Sequence, residues 1–180
     1  MNSDGIAVPR DRTQAIFAST GIAALGNSSA ESSLAPVGQG TLVLPTNFLK
    51  SGSLLQVRLF GYFAAEGTGV NFTFRLKING VTVANKTITP IIDLASKKFF
   101  SEFDLFIPTS GTTSTCYIDG RIKTETAAGL LDSKELSLVT STVNTTIANT
   151  IAITGQYASA SESDFINVLS VRLTRHPRPL

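Results

Sequence analysis

An antiparallel all-β sandwich, jelly-roll-like and preceded by an extended N-terminal arm, is the fold this sequence predicts. Three observations lead there. From Thr41 onward the chain is a series of short runs rich in β-branched and aromatic residues, separated by Gly, Pro, Asn and Ser. Within the series, Asn71 to Ile78 alternates without a break: Phe72, Phe74, Leu76 and Ile78 share one face, Asn71, Thr73, Arg75 and Lys77 the other. No long amphipathic helix interrupts the runs, so the crossovers of a parallel βαβ topology have nothing to form them.

Taken in order, Leu42 to Leu44 is a short strand ended by Pro45, and Leu54 to Ala64 sets Leu55, Val57 and Leu59 against Gln56, Arg58 and Phe60, with Gly61 marking a bulge or bend. After Asn71 to Ile78, Asn79-Gly80 supplies the positive φ angles of a type I′ hairpin turn, and Val81 to Ile88 returns with Val81 and Val83 on one face. Phe99 to Ile107 sets Phe99, Phe103, Leu105 and Ile107 against Phe100, Glu102, Asp104 and Phe106, and Pro108-Thr109-Ser110-Gly111 ends it. Thr115 to Thr124, Leu136 to Thr140, Thr146 to Thr154 and Ile166 to Thr174 complete eight or nine strands. Their number and spacing suit a jelly roll. An immunoglobulin-like sandwich fits the periodicity as well.

Residues 1–40 read as the arm, 41–175 as the β domain and 176–180 as a short tail. The arm holds Gly, Ser, Ala and Pro without sustained periodicity, yet Ile6, Val8, Ile16, Phe17, Ile22, Leu25, Leu34 and Val37 make it more apolar than a free terminus. A segment that orders on a neighbouring subunit explains that composition, so Ile6, Val8, Ile16, Phe17, Ile22 and Leu25 are candidate partner contacts. The outward positions Phe60, Phe100 and Phe106 join them.

The chain has 180 residues, one ordinary domain with length to spare, and 42% of them are hydrophobic, enough for a sizeable core. Only 16% are charged, which suggests that partners cover some of the surface. Basic and acidic residues number 15 and 13 and are interleaved, so no long-range field gathers nucleic acid or acidic lipid. The basic clusters Arg10 with Arg12, and Arg172, Arg175 and Arg178, read as solvated charges at the chain ends. No apolar run approaches the roughly 20 residues of a membrane span. Ala15 to Leu25 only loosely imitates a signal-peptide core, and the four sequons at Asn27, Asn71, Asn85 and Asn144 are chance matches in a Ser/Thr-rich chain.

Chemistry is sparse. The single His, His176, lies in a Pro-containing tail, and the single Cys, Cys116, sits in a strand-like run as a buried thiol that needs no oxidising compartment. With one of each, neither a Cys/His zinc site nor a Ser-His-Asp triad can be assembled within this chain. Carboxylates are available for a glycosidase pair, among them Asp93, Glu102, Asp104, Asp119, Glu125, Asp132, Glu135, Glu162 and Asp164, but surface acids are the simpler reading. No phosphate loop or dinucleotide fingerprint is present. No enzyme, cofactor or metal is expected. Tyr62, Tyr117 and Tyr157 could stack on sugars, which leaves glycan binding open.

The stretch Leu44-Pro45-Thr46-Asn47-Phe48-Leu49-Lys50-Ser51-Gly52-Ser53-Leu54-Leu55-Gln56-Val57-Arg58-Leu59-Phe60-Gly61 resembles a recurring pattern of tailed-phage virion proteins: a Leu-Pro-x-Asn segment, a Leu-Lys-x-Gly turn, a strand and a Gly. Phe72 to Gly80 and Asp164 to Leu173 continue the resemblance. It implies a jelly-roll-like structural module of capsid decoration (cement) proteins, head fibres and tail-associated proteins, commonly homotrimers, and it carries over no catalytic residue. The expectation that follows is a bacteriophage decoration or cement protein that stabilises the shell by arm-mediated contacts and self-assembly. It would be made in the host cytoplasm, sit on the capsid surface of the virion, and contact itself, the major capsid protein or other virion proteins. A vertex fibre, knob or tail protein that binds a receptor or carbohydrate is the alternative.

Overall fold

A computed structural model of the chain describes residues 14–19, 23–26, 29–35, 42–65, 71–89, 93–125, 129, 131–159 and 165–176. Twelve strands and no helix are found among them. Four short strands come first: β1 (Gln14–Ser19), β2 (Ala23–Gly26), β3 (Ser32–Ser33) and β4 (Leu42–Leu44). Then follow β5 (Ser53–Ala65), β6 (Phe72–Ile78), β7 (Val81–Ile88) and β8 (Asp93–Ile107). The last four are β9 (Ser114–Glu125), β10 (Leu131–Val143), β11 (Asn149–Tyr157) and β12 (Phe165–His176).

The large sheet runs β1-β12-β5-β8-β9-β10 and the small one β3-β11-β6-β7, every pairing antiparallel. The chain passes between the sheets on leaving β2, β4, β5, β7, β10 and β11, which makes the sandwich jelly-roll-like, while β8, β9 and β10 form a meander within the large sheet. Alternation decides which faces meet. Leu55, Val57 and Leu59 of β5, Phe99, Phe103 and Leu105 of β8, and Phe72, Phe74 and Leu76 of β6 are buried in one core. Phe72 packs edge-on against Phe74 and Tyr157 with centroids 4.7 Å apart in each pair, and Phe74 reaches across to Phe99 of the other sheet at 5.5 Å.

Turn chemistry sets the boundaries. Asn79 and Gly80 take φ of 51° and 78°, as a type I′ turn requires. Just beyond it, the register shifts between Leu76 and Lys77, so Val83 and Ala84 are consecutively buried while Val81, expected beside Val83, is 64% exposed at the sheet's end. The strand expected from Thr146 instead begins at Asn149. Asn144 Oδ1 accepts from the Thr146 amide at 2.9 Å, and Asn149 Nδ2 donates to the Asn144 and Ile147 carbonyls at 2.9 and 3.0 Å, which holds the intervening residues in a turn.

The expected arm departs most from the structure. β1 and β2 lie one after the other along the outer edge of β12, and β3 and β4 do the same along β11. Ile16, Phe17 and Leu25 therefore belong to strands paired with this chain's own β12; Ile6, Val8 and Ile22 lie outside the described residues. The physical reason is that the edges of β11 and β12 carry backbone donors and acceptors that need partners, and the N-terminal segment supplies them. Likewise β12 runs through His176, opposite Leu54, past the expected domain end at 175.

Candidate functional site on the outer face of the large sheet

Because side chains alternate, the residues of β5 and β8 that point away from the core form ordered rows across the large sheet, roughly 7 Å apart. In one row Phe60 lies opposite Phe100, and Phe100 opposite Lys123. The next row is Arg58, Glu102, Arg121 and Glu135, followed by Gln56, Asp104 and Asp119. The fourth row is Leu54, Phe106, Tyr117 and Thr140. Aromatic rows thus stand some 20 Å apart along β8, with a charged strip between them.

Phe60 is 43% exposed, Phe106 42% and Tyr117 37%, whereas Phe100 is half-buried. Of the nine expected partner contacts, then, the structure brings Phe60 and Phe100 side by side and sets Phe106 three rows away, on the far side of the charged strip. Sequence reasoning put Arg58 on the wet face and Glu102 among the spare acids, but it missed that they meet. The signal was available in the pairing of two alternating strands once β5 is placed beside β8.

Glu102 is the pivot. Its side chain is 8% exposed, and it accepts from Arg58 Nε and Nη2 at 3.1 and 3.0 Å, from Gln56 Nε2 at 2.6 Å and from Arg121 Nη2 at 3.2 Å. Burying a carboxylate this far is costly unless such hydrogen-bond partners meet it. Gln56 Nε2 also donates to Asp104 Oδ1 at 2.9 Å. Burial pushes the Asp104 carboxyl above its ordinary range; the Gln56 hydrogen bond opposes this in part, and Glu102 close by adds to it.

Beside this cluster lies a depression of about 210 Å³ lined by Glu102, Asp104, Asp119, Gly120, Arg121 and Glu135. Gly120 lets β9 come close: a Cβ there would lie 2.6 Å from the Glu102 carbonyl oxygen. Among the described residues no group of three or more His, Cys, Asp or Glu could hold a metal ion. The arrangement offers aromatic faces and charge-assisted hydrogen bonds, the means of non-covalent recognition. Cys116 is buried away from it, its thiol pushed up to about 11 by burial. No helix among the described residues is long and apolar enough to cross a membrane.

No family model and no curated protein matches the chain. Among solved structures it is similar to dimeric latent PorU from Porphyromonas gingivalis, at 12% identity over 93% of this chain and 14% of that one, with a TM-score of 0.35. It is similar to peanut lectin with a nine-residue peptide, at 9% identity over 92% and 98% of the two chains and a TM-score of 0.32. It is similar, too, to the CBM2 module of the evolved Dit of Lactobacillus casei BL23 phage J-1, at 13% identity over 74% and 67%, with a TM-score of 0.32. These similarities assign no role to any residue of this chain.

Proposed function

We propose that the chain is a non-catalytic structural protein of a tailed-phage virion, a decoration or cement protein that self-assembles as a homotrimer and meets the shell through the outer face of its large sheet. The observation that carries this reading is the pair of exposed aromatic rows, Phe60 with Phe100 and Phe106 with Tyr117, enclosing the Arg58–Glu102–Arg121 cluster. Aromatic and Arg side chains are the groups enriched where protein surfaces bind one another. The resemblance of Leu44 to Gly61 to virion proteins supports the setting. A non-catalytic role is supported by the engagement of Glu102 with two guanidiniums and Gln56, which withdraws it from acid–base work.

The test is sedimentation of the purified chain with capsid shells of the parent phage, beside a Phe60→Ser/Phe106→Ser variant shown to fold. Wild type that pellets with shells and raises their opening temperature, with the variant doing neither, is the expected result. A variant that binds as well as wild type would remove the outer face from the role. Wild type that ignores shells would overturn the cement reading.

A second reading, a fibre, knob or tail protein that binds a glycan, draws on the polar depression and on Tyr117 and Phe106, which form the row next to its Asp104 and Asp119. Glycan-array binding abolished by Tyr117→Ala, in a chain that ignores shells, would favour it.

A further inference from the structure

Residues 29–35 run along the β11 edge of the small sheet as a strap, bonded to β6 and β11. Ser32 and Ser33 pair with Gly155 and Thr154, and the Leu34 amide donates to the Ile153 carbonyl at 2.8 Å. Glu31 accepts from Thr154 Oγ1 at 2.6 Å, forms an ion pair with Lys77 and lies 3.6 Å from Arg75 Nη1. Gln156 Nε2 donates to the Ser29 carbonyl at 2.8 Å, while its Oε1 accepts from Arg75 Nη2. Leu34 is fully buried, seated where Gly155 leaves room: a Cβ on Gly155 would lie 3.1 Å from Leu34 Cδ1 and 2.3 Å from Phe72 Cζ.

Together these features make a peptide site: an added strand gives affinity, and a buried Leu and a paired Glu give specificity. Its occupant is a segment of the chain itself. We propose that the strap exchanges between copies, residues 29–35 of one copy seating on β6 and β11 of a second copy while the β1 and β2 that lead into them pass to that copy's β12, tying neighbours together. This deepens the self-assembly reading above and rests on it.

The physical basis is the equivalence of the two arrangements. The same hydrogen bonds, ion pair and buried Leu are made in cis or in trans, so linkage and local concentration decide between them. Only two residues of β3 join the ladder, and the six residues from 36 to 41, which include Gly38 and Gly40, span up to ~20 Å when extended. Copies held side by side present the second site at a local concentration in the range that a short flexible link supplies, on the order of millimolar.

The experiment uses the full chain and the cross-strand pair Ser33 and Thr154. Copies carrying Ser33→Cys are refolded at high concentration with copies carrying Thr154→Cys and then oxidised, beside the double variant. Exchange gives a covalent heterodimer in the mixture. Its yield falls several-fold when the Ser33→Cys copy also carries Glu31→Lys and returns when the receiving copy carries Lys77→Glu. An intrachain disulfide in the double variant with no heterodimer in the mixture overturns exchange, and no disulfide in either overturns the strap's placement. Heterodimer yield that ignores both charge reversals also overturns it. Shell binding is measured separately, so the failure of exchange and the failure of the cement reading are distinguishable.

Discussion

Gly61 on β5 passes Asn167 on β12 so closely that a Cβ built on it would lie 2.1 Å from the Asn167 carbonyl oxygen and 2.8 Å from Cε1 of Phe99. The approach coincides with a bulge in β12, where the register steps from Val168 opposite Gly61 to Ser170 opposite Phe60. Backbone cannot swing aside as a side chain can. Gly61→Ala is therefore expected to destabilise the fold by about 1–3 kcal/mol, as overpacking does. Urea denaturation measures it, and a loss below about 0.5 kcal/mol, the range of an indifferent surface change, would contradict the close approach.

Leu34 tests how much the strap contributes to stability. Fully buried beside Phe72 and Gly155, it should cost about 2–5 kcal/mol when cut to Ala, as core Leu residues do. The midpoint of the same urea titration reports the change. A cost near zero would mean that residues 29–35 rest on the sheet without packing into it.

The charge cluster makes a different prediction. Removing Arg58 and Arg121 together leaves Glu102 buried with Gln56 as its remaining partner, a loss of charge-assisted bonds set at about 1–3 kcal/mol. Arg58→Ala/Arg121→Ala should destabilise more than the two single variants summed, since either guanidinium partly covers for the other. A double-mutant cycle checks this, and strict additivity would refute the shared role.

Two carboxyls pull the pH profile in opposite directions. Hydrogen bonds from Lys77 and Thr154 hold Glu31 below its ordinary value of 4.5, so its stabilisation is complete above that pH and is lost as pH falls through the lower folded value. Burial holds Asp104 above its ordinary 3.8, so its ionised form penalises the fold at neutral pH and the penalty fades as pH falls through that raised value toward 3.8. Glu31→Gln should flatten the stability curve below pH 4.5. Asp104→Asn should gain at pH 7 over wild type, with the gap closing in acid. Thermal midpoints from pH 3 to 8 decide both, and curves parallel to wild type would count against them.

For Cys116, burial and a thiol pushed up to about 11 predict inertness. A thiol reagent at pH 8 should label the native chain at the rate of global unfolding and the urea-unfolded chain at once. Immediate labelling of the native form would place the sulfur at the surface.

Much of the sandwich was legible in the sequence because period-two alternation and turn residues are local signals. Phe72 to Ile78 with Asn79-Gly80 shows this best, since one run fixes the buried face and one dipeptide fixes the partner. Ala84, buried directly after Val83, departs from the pattern through a bulge that no residue type announces. The N-terminal strands defeated it for a different reason: Ala15, Ser32 and Leu42 join a sheet because β11 and β12 have vacant edges, a property of residues more than a hundred positions away. The candidate site was half visible. Phe60, Phe100 and Phe106 stand out as misplaced apolar residues, but the meeting of Arg58, Glu102 and Arg121 depends on which strands are neighbours, and only the assembled sheet supplies that.

The edge pairing of β1 and β2 with β12 also orders events in time. β3 and β4 wait for β11, and β1 and β2 wait for β12, so the two edges stay open until synthesis has passed Tyr157 and His176 respectively. Contacts between residues so far apart in sequence raise contact order and slow folding, and they make closure of the sandwich a late step. A crowded population of nascent chains then holds open β11 and β12 edges next to unplaced N-terminal segments, so that assembly and folding compete for the same strands.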